Sequence, residues 1–569
     1  MTLQERPAAI ASRRTNNART GGRILVDQLL IHGADMAFCV PGESYLEVLD
    51  ALYDARDRFT LINARHEAGA ANMAEAYGKL TGKPGICMVT RGPGACHASI
   101  GVHTARQDST PMILLVGQIA RGTRDRESFQ EVDYRAMFGT LAKWVAEIET
   151  TARIPEYISR AFQIATSGRP GPVVLALPED MLSETSDAQD ARRHVTAQAA
   201  PVDAQMLAMR EMLAKAERPL LVVGGSGWTD EASANIVAFA EANGIPAACS
   251  FRRQDVFDNH SENYIGDLST SVAPSLTKRV READLLLVVG ARLGDITTSA
   301  YRLVESPTPK PKLIHVYPEA DEIGRVYTPD IAIVASSVAF AEQSLKLPPL
   351  DGAKWKPWVE SARKDYLEAS TPPKVQFPLD MGEAMLLLGE KLPKDFVVSI
   401  DAGNFSGWAH RFIRYARPCR QLGPTSGAMG YSVPAAVAAS LVYRDRTAIG
   451  FVGDGGFLMS GQEVGTAVQH GGKPIILLFN NRMYGTIRMH QERDYPARVV
   501  GTDLVNPDFV AMAQAFGCHA ERVTATAEFM PALERALNSG KAAVIELMTD
   551  PEQVSTRTTV AALRAAKGA

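Results

Sequence analysis

Three consecutive α/β domains, each a parallel sheet covered by helices, are what this sequence predicts, and three observations carry the expectation. Apolar runs of strand length alternate with helical segments along most of the chain. Such alternation implies parallel sheets, because a parallel pair needs a crossover of about a dozen residues or more, and the helices then cover both faces. A length of 569 residues exceeds what one core accommodates and suggests about three domains. Polar stretches interrupt the alternation, the clearest being SETSDAQDARRHVTAQAA.

Residues 1–21 are polar and Arg-rich, lack the apolar core of a secretory signal, and are expected to form a flexible tail; a mitochondrial-type presequence is the other reading. The first domain spans 22–185. Its helix RILVDQLLIHG leads to strand AFCV and a Pro41-Gly42 turn. A strand over 59–63, then Arg65-His66-Glu67, an Ala-rich helix over 68–80, and strands near GICMV, MILLVG and PVVLAL follow. A linker covers 186–200. The middle domain, 201–348, contains strands PLLVVGG, LLLVVG and KLIHVY, and a second linker covers 349–371. The third domain, 372–550, contains strands VVSI, TAIGFV, IILLFNN and AVIEL, which leaves 551–569 as a C-terminal tail.

Composition narrows the function. The chain is 46% hydrophobic and 22% charged with a net charge of −4, ordinary for a soluble globular protein. No basic excess points to nucleic acid, and no run approaches the ~18 apolar residues of a membrane span. Cys39, Cys87, Cys96, Cys249, Cys419 and Cys518 are scattered without metal-like spacing. They fit reduced, mostly buried thiols in a cytoplasm, the expected location. A nicotinamide dehydrogenase needs Gly-x-Gly-x-x-Gly after its first strand, a pattern GGSGW does not supply.

The most informative stretch runs from TAIGFVGDGG to PIILLFNN. A strand over 447–452, the Gly453-Asp454-Gly455 turn, a helix over 460–470 closed by Gly471-Gly472, and a strand over 474–479 make one βαβ unit. Both strands point the same way, so Asp454 and Asn481 emerge side by side at the carboxyl edge of the sheet, where open α/β folds bind ligands. One carboxylate, one amide oxygen and nearby backbone carbonyls form a hard oxygen site suited to Mg²⁺, which keeps positions for phosphate oxygens and water. Each motif alone reads as a turn; paired across one unit they point to a site. Glu67 stands at a strand-to-helix junction, where an ordinary first-turn acid would also sit.

Gly-Asp-Gly followed by Asn-Asn at this spacing resembles the signature of thiamine diphosphate enzymes. RGPGACHASIGVHTARQDSTPMILLVGQ, Ser128-Phe129-Gln130-Glu131, GRPGPVVLALPED and GARLGD are similar to the acetohydroxyacid synthase and pyruvate oxidase branch, over nearly the whole chain past residue 22. The resemblance implies a pyrimidine-binding first domain, a middle domain and a diphosphate-binding third domain. It implies thiamine diphosphate and Mg²⁺ as cofactors, the ion held by Asp454, Asn481 and the backbone carbonyl of Met483. Gly403, Asn404, Phe405, Gly455 and Gly456 then line the phosphate end. Gly427 and Met429 lie in TSGAMGY; Met429 matches the apolar wedge that bends the cofactor, its alternative being core filler. Glu67 would hydrogen-bond N1′ of the aminopyrimidine, favouring the imino tautomer that deprotonates thiazolium C2. A carboxylate in an apolar interface has the raised pKa that suits this work. With Gln130 and Glu43 it forms the candidate catalytic set. The family's substrates are small molecules, a 2-oxo acid or an aldehyde. Its active site lies between two chains, so a homodimer is the minimum and a homotetramer the expected assembly.

Departures bear on the substrate. The family's lysine after Leu177-Pro178 is Glu179 here, and the tryptophan that shapes the acceptor pocket is replaced by His490. Glu43 follows Pro41-Gly42 where simple 2-oxo acid decarboxylases carry aspartate; it reads equally as a proton relay or as a solvated turn acid. The paired histidines of those decarboxylases are not evident, and His97 and His103 are expected to be structural. Gly224-Gly225-Ser226-Gly227, Arg292 and Asp295 match a region that touches FAD in flavin-bearing relatives; FAD is an option the sequence does not favour. The expected reaction is decarboxylation of a pyruvate-like 2-oxo acid with transfer of the acyl carbanion to a second carbonyl. Simple decarboxylation and lyase action on a 2-hydroxy ketone or acyl-CoA are alternatives. A non-catalytic nucleotide-binding regulator would be expected to lack Glu67 or Asp454.

Overall fold

The computed structural model describes residues 18–567; most of the expected 1–21 tail lies outside them. Three six-stranded sheets follow one another, and all the strand pairs within them are parallel. Across the first, the strands run Thr60–Asn63, Met36–Cys39, Gly85–Val89, Met112–Gln118, Pro172–Pro178 and Trp144–Glu147. Across the third they run Arg420–Leu422, Val397–Ile400, Ala448–Gly453, Ile475–Asn480, Ala543–Met548 and His519–Val523. Numbered along the chain, both orders are 2-1-3-4-6-5. The middle sheet, Tyr264–Leu268, Ala247–Ser250, Pro219–Val223, Leu285–Val289, Lys312–Tyr317 and Ile331–Val334, has the order 3-2-1-4-5-6. Central strands such as Met112–Gln118 and Pro172–Pro178 are buried at every residue, as sheets covered on both faces require.

The βαβ unit differs from its expected form in one respect. Asp454 does not sit in a turn but opens the helix Asp454–Ser460, with Gly453 extended at the N-cap. Ser460 leaves the helical region, a short turn Gly461–Glu463 follows, and a second helix, Val464–His470, ends at left-handed Gly471. The crossover is therefore two short helices, and the first aims its N-terminal N–H groups at the sheet edge.

Helices Glu67–Thr81 and Ser432–Val442 pack on each other and join the first and third domains in one core. Alanines such as Ala70, Ala71, Ala435 and Ala439 let them approach closely. Between them a buried ionic cluster forms. Lys79 Nζ lies 3.1 Å from Glu75 and also pairs with Asp108, Glu75 accepts the Tyr431 hydroxyl at 2.7 Å, and Asp108 accepts the Thr425 N–H at 2.7 Å.

The segments expected to be a linker and a C-terminal tail each contain a helix built into the fold. The 349–371 stretch contains helix Lys356–Ala369, anchored to the middle domain by Trp355 Nε1 on Ala216 O and Trp358 Nε1 on Pro219 O. The 551–569 stretch contains helix Val560–Ala566, whose Arg564 clamps the wholly buried Glu492. Both were obscured by their polar composition, since buried tryptophans and one ion pair hold them rather than an apolar stripe. Before the first helix, Arg19–Thr20 pairs with Thr185–Ser186. No helix among the described residues is long and apolar enough to cross a membrane.

Candidate active site

In the third sheet, strands Val397–Ile400 and Ala448–Gly453 are neighbours, and the chain leaves them in opposite directions across the sheet. Their carboxyl ends thus form a topological switch point, where open α/β sheets have a crevice. A cavity of about 240 Å³ occupies it. Gly403, Asn404 and Phe405 enter from the first loop, Asp454, Gly455 and Gly456 from the second, and Asn481 and Met483 from the end of Ile475–Asn480; Gly427 and Met429 close it from above. Gly427 has φ +70° and an open side facing this space, and a Cβ at Gly455 would lie 2.6 Å from the Tyr484 ring. Both positions call for glycine.

Asp454 is buried, yet it pairs with no cationic side chain among the described residues. Its Oδ1 accepts the Gly455 N–H at 2.9 Å and its Oδ2 the Asn506 side-chain amide at 2.8 Å. Burial pushes the Asp454 carboxyl up, and these bonds pull it part of the way back. A divalent cation alongside would offset that cost. Asn481 Oδ1 accepts the Met483 N–H at 3.2 Å, and Asn506 Oδ1 is buried with no donor. A carboxylate, an amide oxygen, a backbone carbonyl and one spare acceptor for a metal-bound water fit Mg²⁺ with a diphosphate.

The surrounding loops are tied down from the middle and third domains. Arg252 of the middle domain donates to Ile400 O at 2.8 Å and Asp401 O at 2.9 Å. Asp401, wholly buried and pushed up to about 6 by that burial, accepts the N–H groups of Gly430 at 2.9 Å and Tyr431 at 3.2 Å. Those two bonds fix the backbone behind Met429, whose side chain is half-exposed. Asn404 donates to Val554 O at 2.8 Å and accepts the Thr486 hydroxyl at 3.1 Å, so the C-terminal segment forms one wall.

The first-domain candidates lie elsewhere. Glu67 is the first residue of its helix; its Oε2 is 2.8 Å from His97 Nδ1, and it lines neither this cavity nor the larger one described next. Glu43 is exposed and ion-paired: Arg91 Nη2 lies 3.2 Å from it and 3.3 Å from Glu179. Gln130 is held at φ +66°, its carbonyl accepts the Gly92 N–H at 3.0 Å, and its Oε1 is buried without a partner.

A second cavity, of about 850 Å³, lies where the three domains meet. It is walled by His103 and Asp108, by Arg292 and Asp295, and by His490, and it shares Gly403, Asn404, Gly427 and Thr486 with the smaller one. It opens on the middle sheet's own switch point. Gly225 there has φ +72°, and a Cβ would collide with the Gly290 carbonyl, so crossing backbones explain that glycine without a ligand.

Sequence reasoning missed Asn506, Arg252, Asp401, Thr486 and the contact of His97 with Glu67. Asn506 stands in VNPDF, which reads as a turn before a helix, and Arg252 stands in no motif. Only the placement of His97 five residues into a glycine-led helix facing the Glu67 strand end offered a signal.

Three family models match in the expected order: thiamine pyrophosphate enzyme, N-terminal TPP binding domain over 19–137, central domain over 207–343, and C-terminal TPP binding domain over 401–547. The large subunit of acetolactate synthase isozyme 2 from Escherichia coli is 31% identical over 524 residues, covering 91% of this chain and 93% of that protein. The acetolactate synthase large subunit of Corynebacterium glutamicum is 30% identical over 94% of this chain and 87% of its own length. A probable acetolactate synthase large subunit from Methanocaldococcus jannaschii is 29% identical over 94% and 92%.

Proposed function

Because the chain belongs to the thiamine diphosphate enzyme family that includes the acetolactate synthases, we propose that it removes carbon dioxide from a small, pyruvate-like 2-oxo acid and joins the acyl unit to a second carbonyl compound. The observation that carries this reading is the shared wall of the two cavities: the one bounded by Asp454 and Asn481 shares Gly403, Asn404 and Gly427 with a space large enough for two small carbonyl substrates.

Bound thiamine diphosphate supplies the carbon nucleophile and the electron sink for loss of carbon dioxide. Asp454, Asn481 and the Met483 carbonyl hold Mg²⁺ against the diphosphate, and the backbones of Gly403, Asn404, Phe405, Gly455 and Gly456 approach the phosphates. Gly427 and Met429 position the two rings. Glu67 shares a proton with N1′ of the aminopyrimidine, and Gln130 presents its amide beside the substrate. Since Glu67 lines neither cavity of its own chain, the site is completed by Glu67 of a second copy. A homodimer is the minimal active unit, with a homotetramer as the expected assembly. FAD is the alternative tenant of the larger cavity, because the middle sheet has the strand order of dinucleotide-binding folds and Arg292 and Asp295 line its edge.

The test is product identification with protein loaded with Mg²⁺ and thiamine diphosphate and offered 2-oxo acids singly and in pairs. A 2-hydroxy ketone or 2-acyl-2-hydroxy acid supports carboligation. Free aldehyde alone moves the reading to a simple decarboxylase, and no turnover moves it to a lyase acting on a 2-hydroxy ketone or acyl-CoA. Thiochrome fluorescence and flavin absorbance of the denatured protein decide between cofactors.

A further inference from the structure

We propose that His97 is a positioning residue for Glu67, fixing one oxygen of its carboxylate and conducting its proton to and from solvent. This rests on the reading of Glu67 as the group that shares a proton with the cofactor. The structural basis is the packing of helix Gly92–Asp108 on helix Glu67–Thr81, which are in intimate contact. Gly101 faces Ala71 with no room for a side chain, and this close approach brings His97 Nδ1 to 2.8 Å from Glu67 Oε2. The other oxygen, Oε1, makes no hydrogen bond within the chain's described residues and is left for a ligand.

His66, His97 and Glu67 bring their ligand-type atoms within 4.8 Å of one another, which invites a metal reading. Tautomer chemistry argues against it. His66 Nδ1 caps the helix by accepting the Ala68 N–H at 3.1 Å, so in the neutral ring the proton sits on Nε2 and no lone pair remains for an ion. His66 is a fixed wall, and the His97 ring lies against it with centroids 4.5 Å apart. His97 is different. Its side chain is 51% exposed in the single chain and Glu67 is its one hydrogen-bond partner among the described residues, so no group of its own chain engages Nε2.

The proton step balances without any further reagent. The Glu67 O–H bond breaks as Nδ1–H forms on His97, while Nε2–H breaks and water takes that proton; the reverse sequence returns it. The ring ends neutral, with its carboxylate partner held by Nδ1–H. Imidazole is suited to this because it changes charge near neutral pH. The titratable groups facing it are Glu67 and His66 from the neighbouring helix start, and Cys96 precedes it on its own helix. Behind that start lie Arg65 and, from the third domain, the buried Glu463, which accepts the Arg65 N–H at 3.2 Å.

The experiment follows deuterium exchange at C2 of bound thiamine diphosphate against pH in wild type, Glu67→Gln, His97→Asn and His97→Phe. Asparagine keeps a donor for Glu67 but cannot pass a proton onward; phenylalanine keeps only the ring packing. We expect the wild-type dependence of exchange on pH to be lost in His97→Asn with exchange about tenfold slower, and exchange about 10²-fold slower in His97→Phe, within the span of lost acid–base help. Cofactor affinity should stay at the wild-type level in both. In the cofactor-free protein, nitrogen-15 spectra should show His97 as the Nδ1–H tautomer in wild type and no longer so in Glu67→Gln. Unchanged rate and profile in His97→Asn alongside slow exchange in Glu67→Gln overturns the proposal and leaves Glu67 in place. Unimpaired exchange in Glu67→Gln overturns the underlying reading instead. Should the His97 variants not fold, identical His97 titration in wild type and Glu67→Gln overturns the proposal without them.

Discussion

Asn506 donates its side-chain amide to Asp454 Oδ2 at 2.8 Å and to Asn480 Oδ1 at 3.0 Å, leaving its own Oδ1 buried and unpartnered. Both neighbours are acceptors, which fixes the amide orientation. If Asp454 is a Mg²⁺ ligand, Asn506 orients it from behind. Asn506→Ala should then weaken Mg²⁺ binding about 10–100-fold, as loss of such outer partners does. The Mg²⁺ dependence of thiamine diphosphate binding measures it, and an unaltered half-saturation point would reduce the bond to packing.

Asp454→Ala should remove metal and cofactor together if, as proposed, a Mg²⁺ held by Asp454 ties the diphosphate to the protein. Calorimetric titration with thiamine diphosphate in excess Mg²⁺ is the check. Wild-type affinity in this variant would place the metal elsewhere.

Glu492 is wholly buried and receives Arg564 at 2.6 and 2.8 Å, Arg488 at 2.9 Å and the Ala497 N–H at 3.0 Å. The Arg564 guanidinium foremost holds its carboxyl down at about 2, below the ordinary 4.5. Its contribution to stability is therefore present above that ordinary value and is lost as pH falls from there toward 2. Arg564→Ala should cost about 2 kcal/mol and flatten this acid limb. Unfolding followed by hydrogen exchange in helix Gly485–Asp494 reads both effects.

Among the described residues, Lys79 is the only cation bonded to Glu75 and Asp108 within the buried cluster joining the outer domains. Burial pushes Glu75 up despite the pull of Lys79. Lys79→Met should destabilise by about 3–5 kcal/mol, the cost of leaving buried charge uncompensated. Adding Glu75→Gln should recover part of that loss. Denaturant midpoints decide; additive losses in the double variant would show that the two side chains do not act as a pair.

Glu43→Gln should raise the ratio of ligated product to free aldehyde if Glu43 delivers the proton that competes with carbon–carbon bond formation. Arg91 Nη2 lies 3.2 Å from its carboxylate and anchors it at the strand end. An unchanged ratio would make the pair a structural one.

The fold class was legible because strand and helix periods leave different marks, and the runs around Ile475–Asn480 and Leu285–Val289 are almost unbroken apolar sequence. The gathering of Asp454 and Asn481 at one sheet edge was legible for a similar reason: a glycine-flanked acid and an amide each follow a strand of one βαβ unit, which local sequence encodes. What was not legible is everything assembled across long separations. Asn506 meets Asp454 from 52 residues away and Arg252 meets Asp401 from 149, and neither contact has a periodicity. The helices Lys356–Ala369 and Val560–Ala566 escaped because each is held by a few specific bonds. His97 escaped because its meaning lies in one distance.

The two outer sheets share a single strand order, so the chain holds the same crevice twice. In the third domain it is open, floored by glycine backbone and Asp454. In the first, between Met36–Cys39 and Gly85–Val89, it is plugged: Ser44 Oγ bonds Thr90 Oγ1 at 3.0 Å, Gly42 is pressed against the Thr90 side chain, and Arg91 spans to Glu43. An anionic ligand arriving there meets a guanidinium already spent on the protein's own carboxylates. The duplicated topology therefore leaves one open crevice per chain rather than two, and on the proposed reading cofactor stoichiometry should equal the number of chains in the assembly.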